Sequence, residues 1–206
     1  MVLVISALCL VGVWAHQPRT IRVITTGDCA PRYYTEYLTK KLTTHGTYQV
    51  QEAHVGCPVT VVTLLCHIDW LLIQNADIFV LNSGTGDVSR DGPGGITETH
   101  GETYSAVLHE EFFLLRRYHP KARIIWLTAL PVDERVYGER MNQDLNIFNR
   151  LAMETAAGVP NIEIIDVFRI FWPIRHEALM PDGLHLTPKN YEKLADIIAQ
   201  RIVAGP

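Results

Sequence analysis

Asp182 and His185 stand with two residues between them in the run Pro181-Asp182-Gly183-Leu184-His185-Leu186-Thr187. On a turn, that spacing lets the carboxylate accept the Nδ1 proton of the imidazole and leaves Nε2 to take a proton from a nucleophile. Asp182 then fixes the tautomer and stabilises the imidazolium. Read in isolation, the same residues also describe a loop aspartate bonding backbone amides beside an exposed histidine. A thiol, Cys29, follows Thr25-Thr26-Gly27-Asp28 and precedes Pro31. A cysteine at a strand-to-helix turn, near a helix N-terminus and a histidine, has a lowered pKa and a strongly nucleophilic thiolate. The other reading of Cys29 is an inert small residue.

These groups act together only on a scaffold that brings distant loops to one place. Ile21 to Thr25 is a short β-branched run that stops at Gly27-Asp28, and Pro31 opens a helix with Tyr33, Tyr37, Leu38 and Leu42 at helical spacing. Tyr48 to Val55 reads as a second strand ending at Gly56, and Val59 to Ile73 as one apolar helix. Asp77 to Leu81 is a third strand, apolar through its centre as a buried parallel strand is. Tyr104, Val107, Leu108, Phe112 and Leu115 mark the next helix, Arg123 to Ala129 the fourth strand, and Met141, Leu145, Phe148 and Ala152 another helix. Ile162 to Val167 is the fifth strand, and Pro188 opens a helix with Tyr191, Leu194, Ala195, Ile198 and Ile202 on one face. Strands alternating with helices predict an α/β protein whose parallel sheet is covered on both faces. Chemistry on such sheets falls at the carboxyl ends of the strands, near the point where strand order reverses. The longest loop, Ser89 to His100, borders that region in this reading.

The loops in question read Gly27-Asp28-Cys29, Val55-Gly56-Cys57, Gly84-Thr85-Gly86-Asp87 and Asp182-Gly183-Leu184-His185. In this order they resemble the SGNH hydrolase superfamily, the GDSL-type esterases and lipases, and the resemblance spans nearly all of the chain after Arg19. It implies a flavodoxin-like three-layer α/β/α sandwich with a five-stranded parallel sheet, and hydrolysis of an ester or related acyl bond. Position by position, Cys29 stands at the nucleophile, where the family has Ser, and Gly56 at the second block. Gly86 stands where the family has its oxyanion-hole Asn, and Asp182 and His185 match the last block unchanged. The resemblance thus implies a catalytic set of Cys29, His185 and Asp182 and an oxyanion hole from Cys29, Gly56 and Gly86. Asp28 and Asp87 are supporting residues, Asp87 as a group that orders its loop. A missing oxyanion donor costs on the order of 100 to 1,000-fold in rate; the amides of Cys29 and Gly56 remain as two.

Other features read more plainly. Neighbouring strands one and two bring the loops of Cys29 and Cys57 close, and a disulfide, structural or redox-active, forms if their Cα atoms lie within about 7 Å. Cys66 is expected in the core. Gly84-Thr85-Gly86 and Gly92-Pro93-Gly94-Gly95 lack the context of a nucleotide loop and are turns. Phe171, Trp172 and Pro173 precede the Asp-His run, as an apolar wall for an acyl group or as packing beneath a loop.

With 18 Lys+Arg against 22 Asp+Glu, a net charge of −4 and 48% apolar residues, the 206-residue chain is too balanced for a nucleic-acid binder and too apolar for disorder. Residues 20–206 are one domain of ordinary size. Met1 to Ala15 has no charged side chain and is too short for a membrane span. It reads as a signal peptide, which makes the protein secreted or envelope-facing; uncleaved, the segment is an N-terminal membrane anchor. No cysteine-histidine cluster has zinc spacing, so neither metal nor cofactor is expected. The expected substrate is a small acyl ester or an O-acylated carbohydrate, with no nucleic acid partner. The alternatives are a catalytically impaired binding protein on the same scaffold and an O-acyltransferase.

Overall fold

The computed structural model describes residues 19–53, 59–90, 97–136 and 138–205. Met1 to Ala15, Gly56 and Cys57 lie outside them, as does the middle of the Ser89 to His100 loop.

Five strands, β1 (Ile21–Gly27), β2 (Tyr48–Ala53), β3 (Ile78–Asn82), β4 (Arg123–Leu127) and β5 (Ile162–Ile165), form one parallel sheet in the order β2-β1-β3-β4-β5. The period of two along each strand divides the core. Ile78 and Val80 of β3 face one side with Val23, Ile125 and Leu127, while Phe79 and Leu81 face the other with Ile24, Ile124 and Trp126. Helices α1 (Ala30–Thr43) and α8 (Pro188–Ala204) cover the first side. On the second lie α2 (Val61–Cys66), α3 (Ile68–Leu72), α4 (Gly101–Tyr118) and α5 (Asn142–Ala157). The result is the expected three-layer α/β/α sandwich. Between β5 and α8 the chain makes α6 (Val167–Phe171), a 3-10 turn (Trp172–Ile174) and α7 (Arg175–Ala178). Among the described residues no helix is long and apolar enough to cross a membrane.

Several expectations are corrected in detail. The helix read across Val59 to Ile73 breaks at His67, whose φ of −104° and ψ of 8° are not helical. Val61, Leu64, Ile68 and Leu71 take the core positions of the two pieces, so Cys66 is an exposed free thiol rather than core. In α1 the buried stripe is Tyr34, Leu38 and Leu42, at i, i+4 and i+8, and Tyr33 is left 38% exposed. β5 ends at Ile165 because Asp166 already caps α6, accepting the Arg169 amide hydrogen. In α4 the inward face includes a carboxylic acid, Glu111, only 1% exposed and with no partner among the described residues for either oxygen.

The order β2-β1-β3 puts the strand-order reversal between β1 and β3, whose last residues Gly27 and Asn82 are in register. The Asp28 amide donates to Asn82 O at 3.3 Å, and the loops after these two strands open side by side.

Candidate active site

Directly after β1, Asp28 is buried and its Oδ1 accepts the Ala30 amide hydrogen at 3.1 Å. This holds the turn that puts Cys29 at the N-cap of α1, with φ −66° and ψ −23°. Cys29 is disulfide-bonded. Among the described residues the other cysteine, Cys66, is free, so the partner sulfur lies outside them, as does Cys57, for which the pairing with Cys29 is expected.

Asp182 and His185 meet in the manner their spacing predicts. Asp182 Oδ2 lies 2.8 Å from His185 Nδ1, and Oδ1 accepts the amide hydrogens of Leu184 at 2.9 Å and His185 at 3.0 Å. Burial works to raise the Asp182 carboxyl, but those two amides and the imidazole outweigh it and hold the group below its ordinary value. The turn is pinned from both ends. The Met180 amide donates to His185 O at 2.7 Å, Leu179 bridges Leu186, and the Asp133 amide donates to Gly183 O at 2.8 Å. Gly183 has φ +70°, and a Cβ there would meet Val136 Cβ at 2.9 Å, so only glycine fits.

The remaining faces of His185 are closely lined. The Tyr33 ring packs edge-on to the imidazole with centroids 5.1 Å apart, and it is itself stacked on Tyr191 at 5.0 Å. With Nδ1 engaged, His185 Nε2 is buried and has no partner among the described residues. His185 shares a cavity of about 20 Å³ with Asp28, Cys29, Ala30, Thr85, Leu130, Leu184 and Tyr191. That volume holds about one water. The structure therefore brings Cys29, Asp28, His185 and, through His185, Asp182 to one pocket at the β1/β3 reversal.

Gly86 is not part of that lining. A Cβ on Gly86 would sit 2.6 Å from Val59 O and 2.8 Å from Val59 C, because the backbone entering α2 occupies the space. The asparagine position of the third block is therefore filled by main chain, not by a void. Its neighbour Thr85 lines the pocket instead, and its carbonyl is held by Arg140 Nε at 2.6 Å. Asp87 bridges its loop to the start of α2. Both carboxylate oxygens accept the Val61 amide hydrogen, at 3.1 and 3.0 Å, and burial pushes the group up to about 6. Gly56, the expected second-block donor, lies outside the described residues.

The sequence reading missed Thr85, Tyr33, Leu130 and two asparagines of α5. Asn149 binds both polar groups of Ala129, at 2.7 and 3.1 Å, and Asn142 does the same for Val132, at 2.9 Å each. These side chains replace a strand partner for the loop that carries Leu130. The signal for them was a pair of amides, seven residues apart on the inner face of a helix. Phe171 is fully buried packing and Trp172 lies on a separate groove, so neither walls this pocket. Among the described residues no group of three His, Cys, Asp or Glu side chains could hold a metal ion.

A family model described as GDSL-like lipase/acylhydrolase matches residues 13–193. No curated protein matches the chain. Among solved structures it is similar to a lipase/acylhydrolase from Enterococcus faecalis, with TM-score 0.72 and 22% identity, covering 89% of this chain and 96% of that one. It is likewise similar to the acetyl xylan esterase AlAXEase, with TM-score 0.73 and 20% identity over 86% and 98%. A carbohydrate esterase of family 3 from Talaromyces cellulolyticus gives TM-score 0.71 and 13% identity over 89% and 97%.

Proposed function

Since the chain belongs to the GDSL-like lipase/acylhydrolase family, we propose that it hydrolyses carboxylic esters with the Cys29 sulfur as nucleophile, His185 as general base and acid, and Asp182 as its partner. The observation that carries this reading is the 2.8 Å contact between Asp182 and His185 Nδ1, which leaves a buried, unpartnered Nε2 in the pocket that Cys29 lines. The disulfide on Cys29 makes the reading conditional on redox state. A dithiol reductant exchanges with the bond, is itself oxidised to a disulfide, and returns Cys29 as a thiol.

From the thiol, His185 Nε2 takes the proton and the thiolate attacks the ester carbonyl. The tetrahedral oxyanion collapses to a thioester as the alcohol leaves with the proton from His185. Water then attacks the thioester with His185 again as base, giving the free acid and the thiol. The oxyanion is received by the amides of Cys29 and Gly56 and by the Thr85 hydroxyl. Thr85 lines the pocket next to the position where no side chain fits, which supports its role as third donor.

The disulfide also favours a second reading, a binding protein that has lost catalysis and keeps the pocket. p-Nitrophenyl acetate hydrolysis separates the two, measured with and without dithiothreitol in wild type, Cys29→Ser and Cys29→Ala. The hydrolase reading expects wild-type turnover only with dithiothreitol and none in Cys29→Ala. Turnover confined to Cys29→Ser marks a retired site whose other parts still work, and turnover in no protein supports the binding reading.

A further inference from the structure

A second concavity opens on the same edge of the sheet. Its volume is about 520 Å³, within the range of ligand pockets, against about 20 Å³ at His185. One wall is the first turns of α5, where the exposed amide side chains of Gln143 and Asn146 lie three residues apart on one face. The other is the segment after β5, with Asp166, Arg169 and the Trp172 indole, and Glu134 closes the near end.

The parts are held in place. Glu134 Oε1 accepts the Asn142 amide hydrogen at 2.5 Å, and Asp166 Oδ1 accepts from Arg169 N at 3.0 Å and Thr128 Oγ1 at 3.2 Å. Each carboxylate is thereby oriented through one oxygen, with the other left for a ligand. Trp172 is 38% exposed but fixed, stacked on Phe168 at 5.3 Å and 15° with the Arg175 guanidinium 4.0 Å from its ring. Among the described residues that line the groove, two carboxylates stand against one cation, Arg169, which does not suit a phosphate or a carboxylate ligand. Amides that donate and accept, acceptor oxygens and a rigid aromatic wall suit an uncharged polyhydroxyl compound, whose hydroxyls also do both.

The groove and the pocket are joined by one loop. Leu130 lines the pocket and Glu134 the groove. Four residues of chain span at most about 14 Å. The pocket at His185 holds about one water, so nearly all of any substrate must lie outside it, and this groove is within reach.

We propose that the groove is a sugar subsite, holding the neutral carbohydrate portion of an O-acylated substrate while the acyl carbonyl lies at Cys29 and His185. As a statement about substrate it rests on the hydrolase reading above; as a statement about sugar binding it does not. The test uses the full chain and two probes. Amide chemical shifts are followed during titration with xylohexaose, which carries no ester. Expected are saturable shifts centred on residues 142–146 and 166–172, with affinity weakened about tenfold, or 1.4 kcal/mol, by Asn146→Ala or Trp172→Ala. Unchanged melting temperatures in these exposed-site variants confirm the fold. No saturable shifts, shifts elsewhere, or shifts indifferent to both substitutions overturn the subsite. In reduced enzyme, the same substitutions are expected to raise KM for acetylated xylohexaose about tenfold more than KM for p-nitrophenyl acetate; equal effects on the two overturn it. Xylohexaose binding at the groove with no hydrolysis of either ester leaves the subsite standing and sinks the hydrolase reading alone.

Discussion

A sulfur held in a disulfide cannot attack a carbonyl, so the chemistry proposed for this pocket rests on three side chains and a redox state. Asp182 and His185 are assembled without reference to Cys29, through bonds confined to one four-residue turn. Thr85 is the group whose role follows least from the family pattern. On the proposed reading, Thr85→Val lowers kcat of the reduced enzyme by roughly 100-fold while Thr85→Ser keeps most of it. Steady-state kinetics on p-nitrophenyl acetate in dithiothreitol measures both, and a Val variant as active as wild type removes Thr85 from the oxyanion hole. The Asp182–His185 pairing could be read from the amino-acid order because it is local, i to i+3. The obstruction at Gly86 could not, since the atoms that fill its side-chain space belong to Val59, 27 residues away in a different loop.

Among the elements, α5 carries a task that its apolar stripe hides. Leu145, Phe148 and Ala152 pack in the core as their spacing predicts, and Asn142 and Asn149 on the same buried side fasten the β4–α5 loop. Asn149→Ala leaves the amide hydrogen and carbonyl of Ala129 without these partners, at a cost of about 1–3 kcal/mol. For a domain of this size that is a fall in melting temperature of roughly 2–12 °C, read by calorimetry, and an unchanged value refutes the clamp. Strands were the easiest elements to anticipate. The uniformly apolar centre of β3 admits only a strand buried on both faces. Helix detail was harder because periodicity tolerates small rotations. A one-residue shift separates a core of Tyr33 from the observed core of Tyr34, and it is that shift which frees Tyr33 to pack on His185.

At the scale of the molecule, two buried carboxyls and one exposed carboxyl act on stability in opposite senses. Glu111 has its carboxyl raised well above the ordinary value by burial first and by the nearby Asp87 second. A raised carboxyl stabilises the fold below the unfolded pKa, near pH 4, and that contribution is lost as pH rises toward the folded pKa. Asp87, raised to about 6, acts in the same sense between about pH 4 and 6. Asp182 is lowered, so its contribution is present above about pH 4 and lost below. Glu111→Gln removes one of the alkaline-side losses. Its melting temperature relative to wild type is expected to climb steadily from pH 5 to pH 8, and a constant difference across that range contradicts a carboxylic acid kept neutral in the fold.

The pairing of α1 with α8 also sets a timetable. Tyr34, Leu38 and Leu42 of α1 pack with Tyr191, Leu194 and Ile198 of α8. Thr43 ends α1 and Pro188 begins α8. Well over a hundred residues are therefore synthesised between the two, on the order of ten seconds or more at ordinary translation rates. For that interval the part of α1 that meets α8 has no cover, and Cys29 at its tip has neither His185 nor Tyr191 beside it. The Cys29 turn is thus among the first parts of the protein to be made and its surroundings among the last to close, so the environment met during synthesis reaches this sulfur before the finished pocket does.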